Sequence, residues 1–327
     1  MILRKQTGKR FSVEKIIDLL ERSLSKKNVE FSIRYAPRAD AKLLDVILNS
    51  IWILQFYFQK HTHIFGDITY LSNFLPVKKF SVTILDFNER TNSNSMKDRL
   101  YRFLWIKRPA QRARSVHVLS AFIAKQLMQS VKSITDKNIS VIPPLISKPE
   151  INEKNNFSLK ENFFLVVGTK ANKNLLDIFE AAHLANIKLV IIGTKSEESM
   201  DFAIERQINF EWMEFVDNLD LEFLYQKSKA LIFVSRYEGF GVPPVEAIFS
   251  GTLAICSNID PLKEILGEDD PLMVELGNVN ELVKKIVEVA SFSKAEYLDR
   301  LKAQRKPLKK LNPLKVEKLY EEFFENF

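Results

Sequence analysis

The sequence predicts an α/β fold of two doubly wound, Rossmann-like halves, and three observations carry that expectation. Short runs of β-branched and aromatic residues alternate with longer segments of helical period along the whole chain. At 327 residues the chain is too long for one ordinary domain and comfortable for two, and 46% hydrophobic residues allow each half a core. Between the halves, Pro143-Pro144 ends a strand, and the polar, aperiodic stretch 147–160 reads as a linker. The expected domains are 1–150 and 151–327, with a last helix from about 312 to 327 placed to pack back on the first.

In the first half, strands are expected at 29–35, 68–71, 80–85, 115–119 and 139–142, and helices at 12–25, 40–60, 96–112 and 121–131. The most apolar stretch, 43–58, is interrupted by Asp45, Asn49 and Gln55. It is too short and too polar for a membrane span and reads as a buried helix. The second half restarts with Phe163-Phe164-Leu165-Val166-Val167-Gly168, a buried strand ending in glycine. A helix from about 174 follows, with further strands at 188–192, 209–215, 230–234, 253–256 and 272–274. In such sheets ligands bind outside the carboxyl ends of the strands, and with two domains the expected site is the cleft between them.

Bulk properties narrow the function. Cys256 is the single cysteine, which excludes an internal disulfide framework and suits a reducing compartment. The N-terminus has charges but no apolar run after them, so no secretory leader is expected. Residues 1–150 carry a net +14 and residues 151–327 a net −7, together the chain's +7. A basic half suits phosphate, nucleic acid or an anionic membrane surface, although a biased Lys, Asn and Phe composition accounts for it equally. The chain has no recognisable nucleic-acid reader, so no nucleic-acid partner is expected. No His, Cys or Asp cluster has metal-ligand spacing, and neither metal nor cofactor is expected.

The chemistry concentrates after the strand at 230–234, in Tyr237-Glu238-Gly239-Phe240-Gly241-Val242-Pro243-Pro244-Val245-Glu246. Proline suits the first helical turn, where its missing N–H has no partner. The glycines let backbone approach a ligand, and free N–H groups at a helix start attract phosphate or sugar oxygens. Glu238 and Glu246 are both acceptors for hydroxyl pairs, and their spacing of eight puts one by a sugar and the other deeper, at a ribose. Two glutamates that merely complement a helix start are the alternative, but strand, glycine loop, Pro-Pro start and both carboxylates coincide here.

With these residues in place, the sequence resembles the GT-B retaining glycosyltransferases numbered family 4, whose signature is two glutamates separated by seven residues in a Tyr-Glu-Gly-Phe-Gly setting. The resemblance implies that Glu238 contacts the donor sugar near the reacting carbon and that Glu246 holds the ribose. Gly239, Phe240 and Gly241 then offer backbone N–H groups to sugar and phosphates. The stretch from Leu165 to Leu175 is similar to the family's first donor-domain strand and loop, with Gly168 and Thr169 in the loop and Lys173 at the diphosphate lysine. This loop is one residue short, and the arginine that often accompanies the lysine is absent, with Lys170 as a substitute. The match runs nearly continuously from 163 to about 292.

The first half resembles the family more thinly. Gly8, followed by Lys9 and Arg10, stands where the family places a glycine loop near the diphosphate. The run Val82-Thr83-Ile84-Leu85-Asp86-Phe87 is similar to a Thr-Ile-His-Asp-Leu run, with Leu85 in the histidine's place. Asp86 remains as an acceptor-side base or orienting group. His61, His63 and His117 read as incidental. The basic, aromatic stretch 97–114 suits either an anionic membrane surface or a solvated helix with its aromatics on the core.

The resemblance implies a metal-independent sugar transfer from a nucleotide diphosphate donor, with retention, to a glycan or lipid-linked acceptor. Bacterial surface polysaccharide synthesis is the expected setting, and a cytoplasmic location, peripheral at the inner membrane face, the expected place. The missing histidine and arginine favour one alternative, an inactive GT-B subunit that partners another transferase.

Overall fold

The computed structural model describes residues 1–4, 11–25, 32–39, 42–87, 95–149 and 160–325. The chain divides into two compact units, Met1–Leu145 with Pro313–Phe327, and Ile146–Asn312.

The first unit holds β1 (Ile2–Leu3), β2 (Arg34–Tyr35), β3 (Thr62–Phe65), β4 (Phe80–Ile84), β5 (Ser115–Val118) and β6 (Ile139–Val141). They form one parallel sheet in the order β2-β1-β3-β4-β5-β6. The central strands β3 and β4 are buried at every residue, as expected when both faces are covered. Around them lie α1 (Phe11–Ser25), α2 (Leu43–Trp52), α3 (Met96–Tyr101), α4 (Arg108–Arg112) and α5 (Ala121–Ser130), with α13 (Pro313–Glu325) returning to this unit.

The second unit holds β7 (Phe164–Val167), β8 (Leu189–Ile192), β9 (Phe210–Met213), β10 (Ala230–Phe233), β11 (Leu253–Ser257) and β12 (Met273–Val274), parallel in the order β12-β11-β10-β7-β8-β9. The order reverses at β7 and β10, so their carboxyl ends mark the switch point where such sheets bind ligands. Its helices are α6 (Leu175–Ala185), α7 (Glu197–Glu205), α8 (Asn218–Lys227), α9 (Val242–Phe249), α10 (Asp260–Leu266), α11 (Val279–Ser291) and α12 (Lys294–Arg305).

The structure corrects the first half in three places. The strand expected at 68–71 is a 3-10 helix, Thr69–Phe74, and the neighbouring strand is Thr62–Phe65. Local bonds favour the tight turn: Ser72 Oγ donates to Thr69 O at 2.8 Å, and Asn73 Nδ2 donates to Tyr70 O at 2.8 Å. Second, the helix expected at 96–112 changes winding, with a π-helical stretch Arg102–Lys107 between α3 and α4. Pro109 cannot donate to a carbonyl one turn back. The carbonyls left over are taken from outside: Asn73 Nδ2 donates to Leu104 O at 2.9 Å, and Thr69 Oγ1 donates to Trp105 O.

Third, α2 is not a buried helix. It buries Asn49 and Ser50 and exposes Leu43, Leu44, Ile47 and Ile51. Asn49 makes the inversion possible by satisfying all its polar atoms. Its Oδ1 accepts from Arg38 N at 3.1 Å, and its Nδ2 donates to Arg38 O and Tyr70 Oη, both at 3.1 Å.

The three histidines read as incidental form one hydrogen-bonded chain across β3, β4 and β5. Ser81 Oγ lies 2.9 Å from His61 Nε2 and 2.6 Å from His63 Nδ1. Thr83 Oγ1 then links His63 Nε2 at 2.8 Å to His117 Nδ1 at 2.9 Å, and His117 Nε2 meets Ile142 O at 2.8 Å. Phe323 and Tyr320 of α13 cover His63 and His117. Burial pushes His117 and His61 down to about 4 and His63 well below its ordinary value. The unfolded chain therefore takes up protons near pH 6.5 that the folded chain refuses until about pH 4. Stability from these groups is complete above pH 6.5 and falls as pH drops from 6.5 toward 4. His117 alone is expected to cost about 2 kcal/mol by pH 5. Thermal melts at pH 7 and pH 5 check this, with a fall of several degrees expected; an unchanged melting temperature contradicts it.

Candidate functional site

The site is built on three connections at the carboxyl ends of the second unit's strands. From β10 the chain passes through 234–241 into α9, which opens Val242-Pro243-Pro244 and is buried along its length. Gly241 caps this helix at φ 105°, and a Cβ there would lie 2.5 Å from Leu262 Cδ2. Only glycine meets both demands, so the loop delivers backbone N–H groups and the positive helix end to the strand tips.

Glu238 and Lys173 meet here. Lys173 Nζ donates to Glu238 Oε1 at 2.5 Å, both side chains largely buried, and stands 4.2 Å from the centroid of the Phe233 ring. Gly168 makes room for it, since a Cβ there would come 3.0 Å from Lys173 Cε. Asn172 Nδ2 donates to Tyr237 O at 2.9 Å and to Glu238 Oε1 at 3.4 Å, and Asn172 O accepts from Arg236 N at 2.7 Å. The β7 and β10 loops are thus stitched together around an ammonium and a carboxylate.

Asn174 continues the seam. It adopts the left-handed conformation, φ 57°, at the start of α6, and its Oδ1 accepts from Arg236 Nε at 3.1 Å and Nη2 at 2.9 Å. The β10 loop thus brings the Arg236 guanidinium to Asn174, the residue that follows Lys173. Nothing in sequence spacing pointed to Arg236, because the two loops are far apart in the chain and only the parallel pairing of β7 with β10 unites them.

Glu246 lies deeper, in the body of α9. It is buried, and its Oε2 accepts from Tyr225 Oη at 3.2 Å. Burial and then the Glu246 charge push the Tyr225 phenol well up, so it stays a donor. The tyrosine backbone is anchored in turn: Thr252 Oγ1 donates to Tyr225 O, and Lys160 Nζ donates to Thr252 Oγ1 at 2.5 Å. Ser235 Oγ, at the tip of β10, is buried without a hydrogen-bond partner among the described residues. Tyr225, Ser235 and Asn172 carry no motif of their own, and only the fold reveals them.

Of the residues singled out in the sequence, Lys173, Glu238 and Gly168 come together directly. Gly239, Phe240 and Gly241 lie on the same loop, and Glu246 on the helix that loop opens. Thr169 turns toward the neighbouring connection instead, donating from Oγ1 to Thr194 O at 2.7 Å beside Gly193. Asp86 belongs to the first unit, exposed just past the carboxyl end of β4. Gly8 lies outside the described residues. Cys256 is buried in β11, with its thiol pushed well up by burial.

Comparison with known proteins gives this architecture a class. The two six-stranded parallel sheets match GT-B structures: sucrose-phosphate synthase from Thermosynechococcus elongatus superimposes with a TM-score of 0.80 over 100% of this chain and 99% of that one, at 15% identity. HepE from Anabaena, solved with UDP and glucose, gives 0.69 over 100% and 99%, at 12% identity. The chain is therefore a two-domain α/β protein of GT-B fold. Residues 147–306, nearly the whole of the second unit, match the family model "Glycosyl transferases group 1". Among relatives, the O-antigen chain mannosyltransferase RfbU of Salmonella typhimurium is 26% identical over 196 residues. That match covers 57% of this chain and 54% of RfbU, so the chain spans about half the length of this relative.

Proposed function

We propose that the chain moves a sugar from a nucleotide diphosphate donor to a glycan or lipid-linked acceptor, with retention, in the building of a bacterial surface polysaccharide. The observation that carries the reading is the Lys173–Glu238 contact beside the N-terminus of α9, with Glu246 buried behind it. In the structure the two charges satisfy each other. A donor diphosphate, more highly charged than one carboxylate, draws the Lys173 ammonium to itself and releases Glu238 toward the sugar. Glu238 then orients the sugar and stabilises positive charge at the reacting carbon, while Glu246, steadied by Tyr225, takes the ribose.

As the bond to the diphosphate breaks, charge develops on its oxygen. Lys173, Arg236 and the N–H groups opening α9 are the groups that meet it. The acceptor oxygen bonds to the same face of the sugar carbon and gives up its proton, with Asp86 of the first unit as the acceptor-side candidate. Ammonium and helix end together do the work of a metal, so turnover is expected to be unchanged after chelation with EDTA. A loss of activity restored by a divalent cation contradicts this.

The reading is tested by screening nucleotide sugars for release of nucleotide diphosphate in the presence of an acceptor. The relatives' names place nucleotide-linked mannose first in that screen. Release dependent on one nucleotide sugar is expected. Nucleotide binding without release from any of them supports the alternative, a partner subunit.

A further inference from the structure

Arg4, Asp67 and Asp86 follow the carboxyl ends of three neighbouring strands, β1, β3 and β4. Ligands bind at that end of such a sheet. The β3 and β4 connections lie against each other: Gly66 N donates to Thr83 O at 3.3 Å, and a Cβ on Gly66 would sit 3.5 Å from Leu85 Cδ1. Arg4 Nη1 donates to Asp67 Oδ2 at 2.5 Å. The two side chains are 20% and 40% exposed, and Arg4 Nε is buried with no hydrogen-bond partner among the described residues.

An aromatic cluster is tied to the same connection. Trp105 Nε1 donates to Asp67 O at 3.1 Å. The Trp105 ring stacks on Tyr101, with 4.9 Å between centroids and 22° between planes, and lies 4.5 Å from the ring of Tyr70. Tyr70 is buried, whereas Tyr101 and Trp105 each keep some surface in solvent. The helix that carries these two changes to π-helical winding at Arg102, a departure found frequently at functional sites. Asn73 and Thr69 hold its carbonyls at Leu104 and Trp105, which fixes the indole beside the β3 connection.

Aromatic surface beside a paired carboxylate and guanidinium suits one kind of ligand. A pyranose ring has a face of C–H bonds, which meets the negative face of an aromatic ring, and a rim of hydroxyls that both donate and accept. Phosphate would meet the carboxylates of Asp67 and Asp86, with Arg4 already paired to one of them. An acyl chain would strip water from Arg4 and Asp67 without replacing their hydrogen bonds. We propose that Tyr101 and Trp105, with the Arg4–Asp67 pair, receive a pyranose ring of the acceptor, its C–H face on the aromatic cluster and its hydroxyls on Asp67 and Arg4, next to the Asp86 connection. The name acceptor rests on the transfer reading; the binding of a sugar by the first unit does not.

The test is saturation-transfer NMR and titration of the full chain with methyl α-mannopyranoside, a neutral glycoside. Binding in the millimolar range is expected, with saturation strongest on the C–H protons of one ring face. Trp105→Ala and Tyr101→Ala are each expected to weaken it by about tenfold, the size of one aromatic contact, and Asp67→Asn by a similar factor. Trp105→Phe keeps a ring and is expected to retain more affinity than Trp105→Ala, with melting curves showing that each variant is folded. In turnover these variants are expected to raise KM for the acceptor and to leave KM for the nucleotide sugar unchanged. No binding at about 0.1 M glycoside, equal binding by the parent and folded Trp105→Ala, or displacement of the glycoside by inorganic phosphate overturns the proposal. A rise in KM for the nucleotide sugar alone assigns the ring to the donor and overturns it too. Titration of GDP and UDP reads the transfer site separately: glycoside bound with neither nucleotide supports the sugar subsite and overturns its role as acceptor site.

Discussion

Lys173→Ala is expected to lower turnover by about a thousandfold and to weaken nucleotide binding, whereas Glu238→Gln is expected to lose turnover and keep the nucleotide. The two side chains share one contact, 2.5 Å long, in a largely buried setting, yet they differ in what they do once a donor enters. Lys173 supplies charge to the diphosphate in both ground and transition states, so its removal touches affinity and rate together. A preorganised group facing developing charge contributes about a hundred- to a thousandfold in rate. Glu238 faces the sugar. Its neutral amide holds a similar shape but cannot meet positive charge at the reacting carbon, and it leaves the Lys173 ammonium less occupied before donor arrives. Steady-state rates and nucleotide titrations on both variants check the split. Loss of nucleotide affinity in Glu238→Gln as large as in Lys173→Ala would show that the pair acts as one structural unit.

Gly241→Ala is expected to destabilise the second unit by about 2–4 kcal/mol. The residue sits at φ 105°, which a side chain resists at about 1–2 kcal/mol. Its Cβ would also lie 2.5 Å from Leu262 Cδ2 and 3.3 Å from Ile265 Cδ1, and both those residues are fully packed. Overpacking of that kind costs about 1–3 kcal/mol. Gly277 separates the two causes: it has φ 80° and nothing within 4 Å of the Cβ position. Gly277→Ala is thus expected to show the backbone cost alone in urea unfolding. Equal losses at the two positions would mean that Leu262 yields freely and that the clash contributes nothing.

The second unit was legible in the sequence because its signals are local. Strand, glycine, proline and glutamate follow one another from Ala230 to Glu246, and each has a physical reason to stand where it does. The strands β7, β8, β10 and β11 are buried apolar runs ended by turn residues, and their positions were read within a residue or two. What eluded the sequence depends on pairing between distant segments. Arg236 joins the site because β10 pairs with β7, and Tyr225 meets Glu246 because α8 packs on α9. Residues 62–74 offered two apolar runs of similar composition, and the choice between strand and turn rested on the side-chain bonds of Ser72 and Asn73. The outward face of α2 was misread for a plainer reason. Apolar periodicity reports that a face is covered, and says nothing of whether the cover is the protein's own core.

Every role proposed for Lys173 and Glu238 requires that their site receive a nucleotide. Titration of GDP and of UDP into the full chain by calorimetry reads this most directly. One of the two is expected to bind at a single site with micromolar affinity, and Lys173→Ala to weaken it by about tenfold or more. Absence of heat with both nucleotides at millimolar concentration, or equal binding by the parent and Lys173→Ala, would contradict it.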